Sequence, residues 1–302
     1  VNAVPGTEQT VSQAGSTPTV DNNPVITSNG NSTSNTVTIN AAENATANVT
    51  LENVNINTGG AAITTSGDVN IELNGTNTVQ SGTNHAGVEK KDDGNLTITD
   101  ENKNGSLTAT GGDRGAGIGG GNDGSGSHIT ISGGEVTAKG GRWAAGIGGG
   151  EDGNGSHITI EGGTVTATGG GGAAGIGGGF AGAGSDITVS GGMVTATGGE
   201  NGAGIGSGFN AGSNGATNIK IEGGGVTAQG GENGAGIGGG YNSSANNIEV
   251  SKGTVNATGG NNGAGIGGGG DGGFGEHITV SGGIVDAQGG ENGAGIGGGN
   301  DG

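Results

Sequence analysis

The chain has 302 residues, of which 84 are glycine, 3 are proline and none is cysteine, and its formal net charge is −19. This charge argues against nucleic acid as a partner because a polyanion is repelled by phosphate groups, and no apolar stretch approaches the roughly 18–20 residues of a membrane span. The low proline content and irregular glycine spacing exclude collagen, and the lack of cysteine excludes disulfides and thiolate metal sites.

The first hundred residues show a loose pattern. Residues 1–35 are rich in Ser, Thr, Asn and Gly, which predicts a linker or an irregular cap. Residues 36–100 contain short apolar alternations such as 37–39 and 96–98, which predict looser coils with a bulkier core. Within them, the charged stretch 87–94 is expected to be a surface loop.

A regular array follows over residues 101–302. A Gly-Ile-Gly motif recurs at intervals of 29, 29, 29, 32, 29 and 30 residues, measured between Ile118, Ile147, Ile176, Ile205, Ile237, Ile266 and Ile296. Periods of this length are typical of solenoids. The array stops in mid-repeat, because residues 295–302 copy residues 117–124, where the chain continues into another coil.

Three short apolar alternations lie in each period, for example at 158–160, 165–167 and 174–177, and pairs of glycines separate them. Alternation with period two predicts strands, and the glycine pairs are expected to provide positive φ at tight corners. The pattern therefore predicts an all-β fold, a parallel β-helix with about three strands per coil. Parallel crossovers are right-handed as a rule, so a right-handed coil is expected.

The motif GAGIGGG at 115–121 also matches the glycine fingerprint of dinucleotide-binding proteins. That fingerprint requires a helix after it, and no helical periodicity follows here. The alternative is structural: the isoleucine points into the core, and flanking Gly and Ala leave one face of the coil bare. A bare face predicts close approach of a sharp bend, a neighbouring chain or a flat ligand.

Several segments together resemble a known family. The stretches GTNTVQSGTNHAGVE (75–89), GSLTATGG (105–112), GAGIGGG and ITISGGEVTAKGG are similar to glycine-rich β-helix regions of large cell-surface proteins in gut and other Gram-positive bacteria. Such regions are described as adhesin-like or carbohydrate-binding. The resemblance covers most of the chain from about residue 36. It implies an extracellular, cell-surface or secreted location and carries over no catalytic residue.

Candidate binding residues are aromatic and cationic. Trp143 and Arg142 stand in one corner near Lys139, and Arg114 takes the equivalent corner one coil earlier. Phe180, Phe209 and Tyr241 each follow a motif isoleucine by four residues, which predicts an aromatic ladder. Either group could stack on a sugar or contact a protein, whereas the alternative is packing that holds the coils in register.

Acidic residues give a weaker candidate. Asp123, Glu151 and Asp152 lie four or five residues after a motif isoleucine, and a carboxylate column of this kind could collect Ca²⁺. The alternative is solvated surface charge, and no other cofactor is expected.

The sequence thus predicts a non-catalytic surface module that binds a glycan or a host surface protein. One alternative is a structural stalk or self-associating scaffold. Another is an ice-binding solenoid, because pairs such as Thr166 and Thr168 form T-x-T on the outer face. Catalysis is not expected, since the coils are too uniform to form a specialised cleft.

Overall fold

The molecule, described by a computed structural model at residues 1–6, 8–13 and 17–302, is a parallel β-solenoid. It makes about nine turns with a period of about 29 residues, which confirms the predicted fold class. The described residues include no helix long and apolar enough to cross a membrane. Four residues of the predicted 1–35 segment lie outside the described part of the chain.

Three sheets run along the solenoid, and each coil contributes one strand to each sheet. Sheet 1 contains Val25–Thr27, Thr46–Glu52, Asp68–Asn74, Leu96–Thr99, Gly126–Ile131, Gly155–Ile160, Gly184–Val189, Gly212–Ile221, Ser243–Val250 and Gly275–Val280. Sheet 2 contains Asn55–Asn57, Thr76–Gln80, Ser106–Thr110, Glu135–Lys139, Thr164–Thr168, Met193–Thr197, Gly225–Gln229, Thr254–Thr258 and Ile284–Gln288. Sheet 3 contains Asn2–Ala3, Thr10–Val11, Thr19–Val20, Val37–Ala41, Ile63–Ser66, Val88–Lys90, Ile118–Gly119, Ile147–Gly148, Ile176–Gly177, Ile205–Gly206, Ile237–Gly238, Ile266–Gly267 and Ile296–Gly297.

The core is a set of aliphatic columns. Alternation turns every second side chain inward, and parallel pairing places like residues above one another, as in Ile147 with Ile176. The inward side chains of one coil are at most 1% exposed, namely Ile129, Ile131, Val136, Ala138, Ala145 and Ile147. A narrow core suffices because each coil also hydrogen-bonds to its neighbours along all three sheets.

The glycine pairs differ from the prediction at one of the two corners. Between sheets 1 and 2, Gly163 has a φ of +79°, as expected. Between sheets 2 and 3, Gly169 and Gly170 do not have positive φ, and their role is steric. A Cβ on Gly170 would overlap the carbonyl oxygen of Gly141 in the preceding coil. That corner therefore requires the smallest residue for close backbone approach.

The bare glycine face predicted around the Gly-Ile-Gly motif does not exist. Gly175, Gly177 and the glycines that follow are buried by the chain's own backbone. Gly177 has a φ of +129°, and a Cβ there would overlap the carbonyl oxygen of Gly206 in the next coil. Of the three causes considered, the bend accounts for the positive φ, and the close approach itself is made by the backbone of the next coil of this chain. These glycines offer no lateral surface to another molecule.

The predicted surface loop at 87–94 is also partly wrong, since its first half is the strand Val88–Lys90. Val88 takes the core position of Ile118, with which it pairs. Lys90 is only 5% exposed, and its ammonium group donates to the carbonyl of Gly94. A buried aliphatic stem with a satisfied head group lets lysine occupy a strand that its charge argued against. Only residues 91–94 form the expected turn.

The N-terminal segment and the longest coil interrupt the regular pattern. At the N-terminus, Thr10–Val11 pairs antiparallel with both Asn2–Ala3 and Thr19–Val20. The next strand, Val25–Thr27, already pairs in parallel with Thr46–Glu52. The 32-residue interval is absorbed in sheet 1, where Gly212–Ile221 shifts register between Gly212 and Ala216. The sheets on either side of this bulge keep their register.

Candidate ligand-binding edge

Two turns meet along one edge of the solenoid. The first turn joins sheet 2 to sheet 3, as at Gly141–Ala144, where the amide of Ala144 donates to the carbonyl of Gly141 over 3.2 Å. The second turn follows the sheet 3 strand, as at Gly150–Gly153, where the corresponding bond is 3.0 Å. Backbone bonds connect the second turn of each coil to the first turn of the coil before it. The amide of Phe180, for example, donates to the carbonyl of Trp143 over 2.9 Å.

This connection brings together two features that the sequence presented separately. Trp143 and Phe180 meet edge to face, with ring centroids 5.1 Å apart. Phe180 stacks on Phe209 at 5.0 Å, and Phe209 stacks on Tyr241 at 5.4 Å, with interplanar angles of 21° and 4°. All four side chains are half-buried. We call these four residues, with Arg142, the aromatic edge.

Stacking determines what the aromatic edge presents to solvent. The faces of Phe209 are covered by Phe180 and Tyr241, so its ring edge points outward. The ring of Phe180 lies over Gly172, where any side chain would collide with it. The ladder therefore stacks ring on ring across three coils and exposes a continuous strip of C–H edges. Its contribution to coil register stays a prediction.

Cations border one end of this edge. The guanidinium carbon of exposed Arg142 lies 4.7 Å from the ring centroid of Trp143, a cation–π contact. Arg114 Nε lies 3.1 Å from Glu151 Oε2, and their side chains are 49% and 19% exposed. Lys139, by contrast, ends a sheet 2 strand and points outward from that sheet. Of the three cationic candidates, Arg142 therefore lies on the aromatic edge. Arg114 forms an ion pair with Glu151 beside it, and Lys139 lies apart on sheet 2.

Tyr241 closes the other end of the ladder. Its hydroxyl group hydrogen-bonds to Asp271, and this bond together with the negative charge raises the pKa of Tyr241 above its ordinary value of 10.0. The tyrosine is therefore a neutral hydroxyl at physiological pH, available as a hydrogen-bonding group at the end of an otherwise apolar strip.

The acidic candidates for Ca²⁺ have local roles. Asp123 and Asp152 adopt left-handed backbone conformations, with φ of 57° and 58°. Asp and Asn tolerate this conformation best after glycine, which explains their recurrence at this turn position. Glu151 lies against Arg114. Within residues 1–6, 8–13 and 17–302, no group of three or more His, Asp or Glu side chains is placed to hold a metal ion.

Sequence reasoning missed a buried charge cluster in the looser coils. The side chain of Glu89 is 4% exposed, its Oε2 lies 2.8 Å from His85 Nδ1, and its Oε1 contacts the ammonium group of Lys91. Beside it, burial lowers the pKa of Lys90 below its ordinary value of 10.5. Glu89 pairs with Gly119, so the available signal was a charged residue at a position that the later coils fill with glycine.

A cleft of about 620 Å³ was also missed, at the corner between sheets 1 and 2. It forms where residues 100–105 make a six-residue connection, whereas the next coil uses the three residues 132–134. The sequence signal was present as a break in the repeat length, but it fell at the boundary between loose and regular coils.

Comparison with known proteins identifies the repeat. A family model described as a β-helix repeat matches residues 103–122, 129–151, 158–180, 187–209, 219–241, 248–270 and 278–300, more than half of the chain. The chain belongs to the β-helix repeat family. Each matched segment ends at the turn position that Phe180, Phe209 and Tyr241 occupy, so the aromatic ladder lies at the end of the β-helix repeat unit. No curated protein and no solved structure matched the chain.

Proposed function

We propose that this β-helix is a non-catalytic, extracellular surface module that binds a glycan or a host surface protein along its aromatic edge. The observation that carries the proposal is the placement of the aromatic residues. The chain has five, and four of them line up half-buried on one edge beside Arg142, while the core is built from Ile, Val, Leu and Ala. Exposed aromatic and arginine side chains are the groups most enriched in binding sites.

Binding without chemistry fits the groups on this edge. Arg142 stacks on Trp143, the carboxylate of Glu151 is held by Arg114, and the phenol of Tyr241 stays protonated. Trp143, Phe180, Phe209 and Arg142 carry no nucleophile, so most of this edge offers contact area rather than reactive groups. The extracellular location rests on the cysteine-free, Asn-, Thr- and Gly-rich composition and on the resemblance to bacterial surface proteins.

The test is binding of the purified chain to arrays of polysaccharides, host glycans and extracellular proteins. We expect Trp143→Ala to weaken binding at least about tenfold, the loss typical of a central aromatic contact. Phe274→Ala is the matched control, because Phe274 is 54% exposed and lies outside the ladder. Melting temperatures of both variants establish that they are folded. If every array ligand binds the wild-type chain and Trp143→Ala equally, the proposed edge is refuted, and no binding at all would favour the structural stalk.

A second candidate is ice binding, which one observation favours. Sheet 2 carries six threonines in perfect register on its outward side, namely Thr78, Thr108, Thr137, Thr166, Thr195 and Thr227. A flat threonine array could order water at the spacing of the strands. Thermal hysteresis of a concentrated solution tests this directly, with Thr166→Lys as the variant that should abolish it and Phe274→Ala as the control.

A further inference from the structure

The cleft between sheets 1 and 2 has the form of a second binding site, remote in the coil from the turns that carry the aromatic edge. Its volume of about 620 Å³ lies within the range of about 300–1,000 Å³ common for ligand sites. One wall is the connection 100–105, which carries Asp100 and Lys103. The floor includes the glycine corner at 133–134 and 163, and Asp100 packs against its first two glycines.

The opposite wall extends along the solenoid axis. Thr76, Ser106, Glu135 and Thr164 are the first residues of four consecutive sheet 2 strands, and each pairs in register with the next. Three strand spacings of about 4.8 Å give this row a length of about 14 Å. The cleft is therefore elongated along the axis and open at the surface, which suits a linear ligand rather than a compact one.

The chemistry of the lining indicates the ligand class. The described lining side chains are hydroxyls, carboxylates, an amide and one ammonium group. Hydroxyl groups both donate and accept, so an oligosaccharide can satisfy such a mixed surface. A peptide would instead need the apolar or aromatic pocket that anchors most protein contacts. Lys103 shares this lining with the acidic Asp100 and Glu135, and the chain carries a net charge of −19, so an anionic ligand is disfavoured.

We propose that the cleft walled by Asp100, Lys103 and Glu135 binds an uncharged linear oligosaccharide, independently of the aromatic edge. The interrupted repeat supports this assignment. The later sheet 1–sheet 2 connections are three residues long, and the six-residue connection 100–105 is what raises a wall beside the glycine floor. Replacing residues 100–105 with Ser-Gly-Gly, the sequence of 132–134, should lower the wall while preserving the coil.

The experiment measures binding of neutral gluco-, manno- and xylo-oligosaccharides, with oligogalacturonate as the anionic comparison, by isothermal titration calorimetry. The starting protein is the Trp143→Ala variant, so that the aromatic edge is already disabled. We expect neutral oligosaccharide binding to persist in this background and to be lost in the Ser-Gly-Gly replacement. Lys103→Ala and Glu135→Gln should each weaken it about fivefold to tenfold, the effect of one lost hydrogen bond.

Glu222→Gln, at the corresponding corner of a later coil, is the matched control and should bind like its parent. The assignment is overturned if the Ser-Gly-Gly replacement binds normally, if only oligogalacturonate binds, or if no oligosaccharide binds in the Trp143→Ala background. Because the proposed function depends on Trp143 in the otherwise wild-type chain, either proposal can fail while the other stands.

Discussion

At the scale of single residues, backbone conformation explains most of the unusual composition. One set of glycines ends the sheet 3 strands of the regular coils and has φ between +129° and +139°, for example Gly119, Gly148 and Gly177. A second set, including Gly170, lies where the backbone of one coil rests on that of another. The Asp and Asn residues that recur at the turn after sheet 3, and the Asp, Asn and His residues that recur inside the sheet 1 strands, have φ of about +50° to +60°. Asn, Asp and His adopt this conformation more readily than other residues apart from glycine.

A single added methyl group should therefore disrupt the solenoid at some glycines and be tolerated at others. Gly177→Ala should lower the free energy of unfolding by at least about 2 kcal/mol, because its φ is unfavourable and its Cβ overlaps Gly206. Gly171→Ala is the matched control, since the nearest atom to its Cβ would be Arg142 O at 3.7 Å. Urea unfolding of both variants decides the matter, and equal stabilities would contradict the steric explanation.

The buried Lys90 should make stability depend on pH in a defined direction. Burial lowers the folded-state pKa of Lys90 below 10.5, so between that lowered pKa and 10.5 the unfolded chain binds more protons than the folded chain. The contribution of Lys90 to the free energy of unfolding should therefore rise as the pH rises through this window. The measurement is the difference in unfolding free energy between the wild-type chain and Lys90→Met. A difference that stays flat or falls up to pH 10.5 would contradict this assignment.

At the scale of strands and turns, the sequence predicted the repeating elements well. Apolar alternation separated by glycines located the three strands of each regular coil, and like residues pair in register as the period implied. The sequence could not predict that the residues of the aromatic edge form one unit. Alignment by period relates Trp143 to Arg114 and Gly172, whereas the contact that matters joins Trp143 to Phe180 through a hydrogen bond between different turns.

The prediction of a surface loop at 87–94, where the strand Val88–Lys90 lies, was wrong for a different reason. Charge argued for a loop there, but Glu89 finds partners in His85 and Lys91, and the head group of Lys90 reaches a carbonyl. Such compensation depends on three-dimensional neighbours that a single sequence does not reveal.

Stacking in the aromatic ladder should contribute measurably to stability. Phe209 is covered on both faces, so Phe209→Ala should lower the free energy of unfolding by about 1–2 kcal/mol. Phe274→Ala, which removes a 54% exposed ring, should change it by less than about 0.5 kcal/mol. Thermal or urea unfolding gives both values. If Phe209→Ala unfolds like the wild-type chain, the ladder serves ligand contact alone.

At the scale of the whole molecule, each coil contacts mainly the coils on either side of it, so the fold is close to one-dimensional. The acidic side chains are therefore spread along a rod, and 27 Asp and Glu residues face only 8 Lys and Arg residues. Their mutual repulsion opposes the compact state, and salt reduces it.

The melting temperature should consequently rise with ionic strength. We expect the largest increase between about 0.01 M and about 0.15 M NaCl, where the screening length falls from about 30 Å to about 8 Å. Calcium chloride at matched ionic strength separates general screening from specific binding. A clearly larger increase with calcium would support the Asp123, Glu151 and Asp152 site that the sequence suggested.

The register of the coils has a consequence for heredity. Because Ile147, Ile176 and Ile205 occupy interchangeable positions, removing the 29 residues 158–186 would join residue 157 to residue 187 with every column still aligned. A deletion or duplication of one such unit in the DNA would keep both the reading frame and the register of the coils. Each event would lengthen or shorten the rod by about 4.8 Å, one strand spacing, without a misfolded intermediate form. The length of the rod can therefore change by whole repeats without altering the shape of the coils that remain.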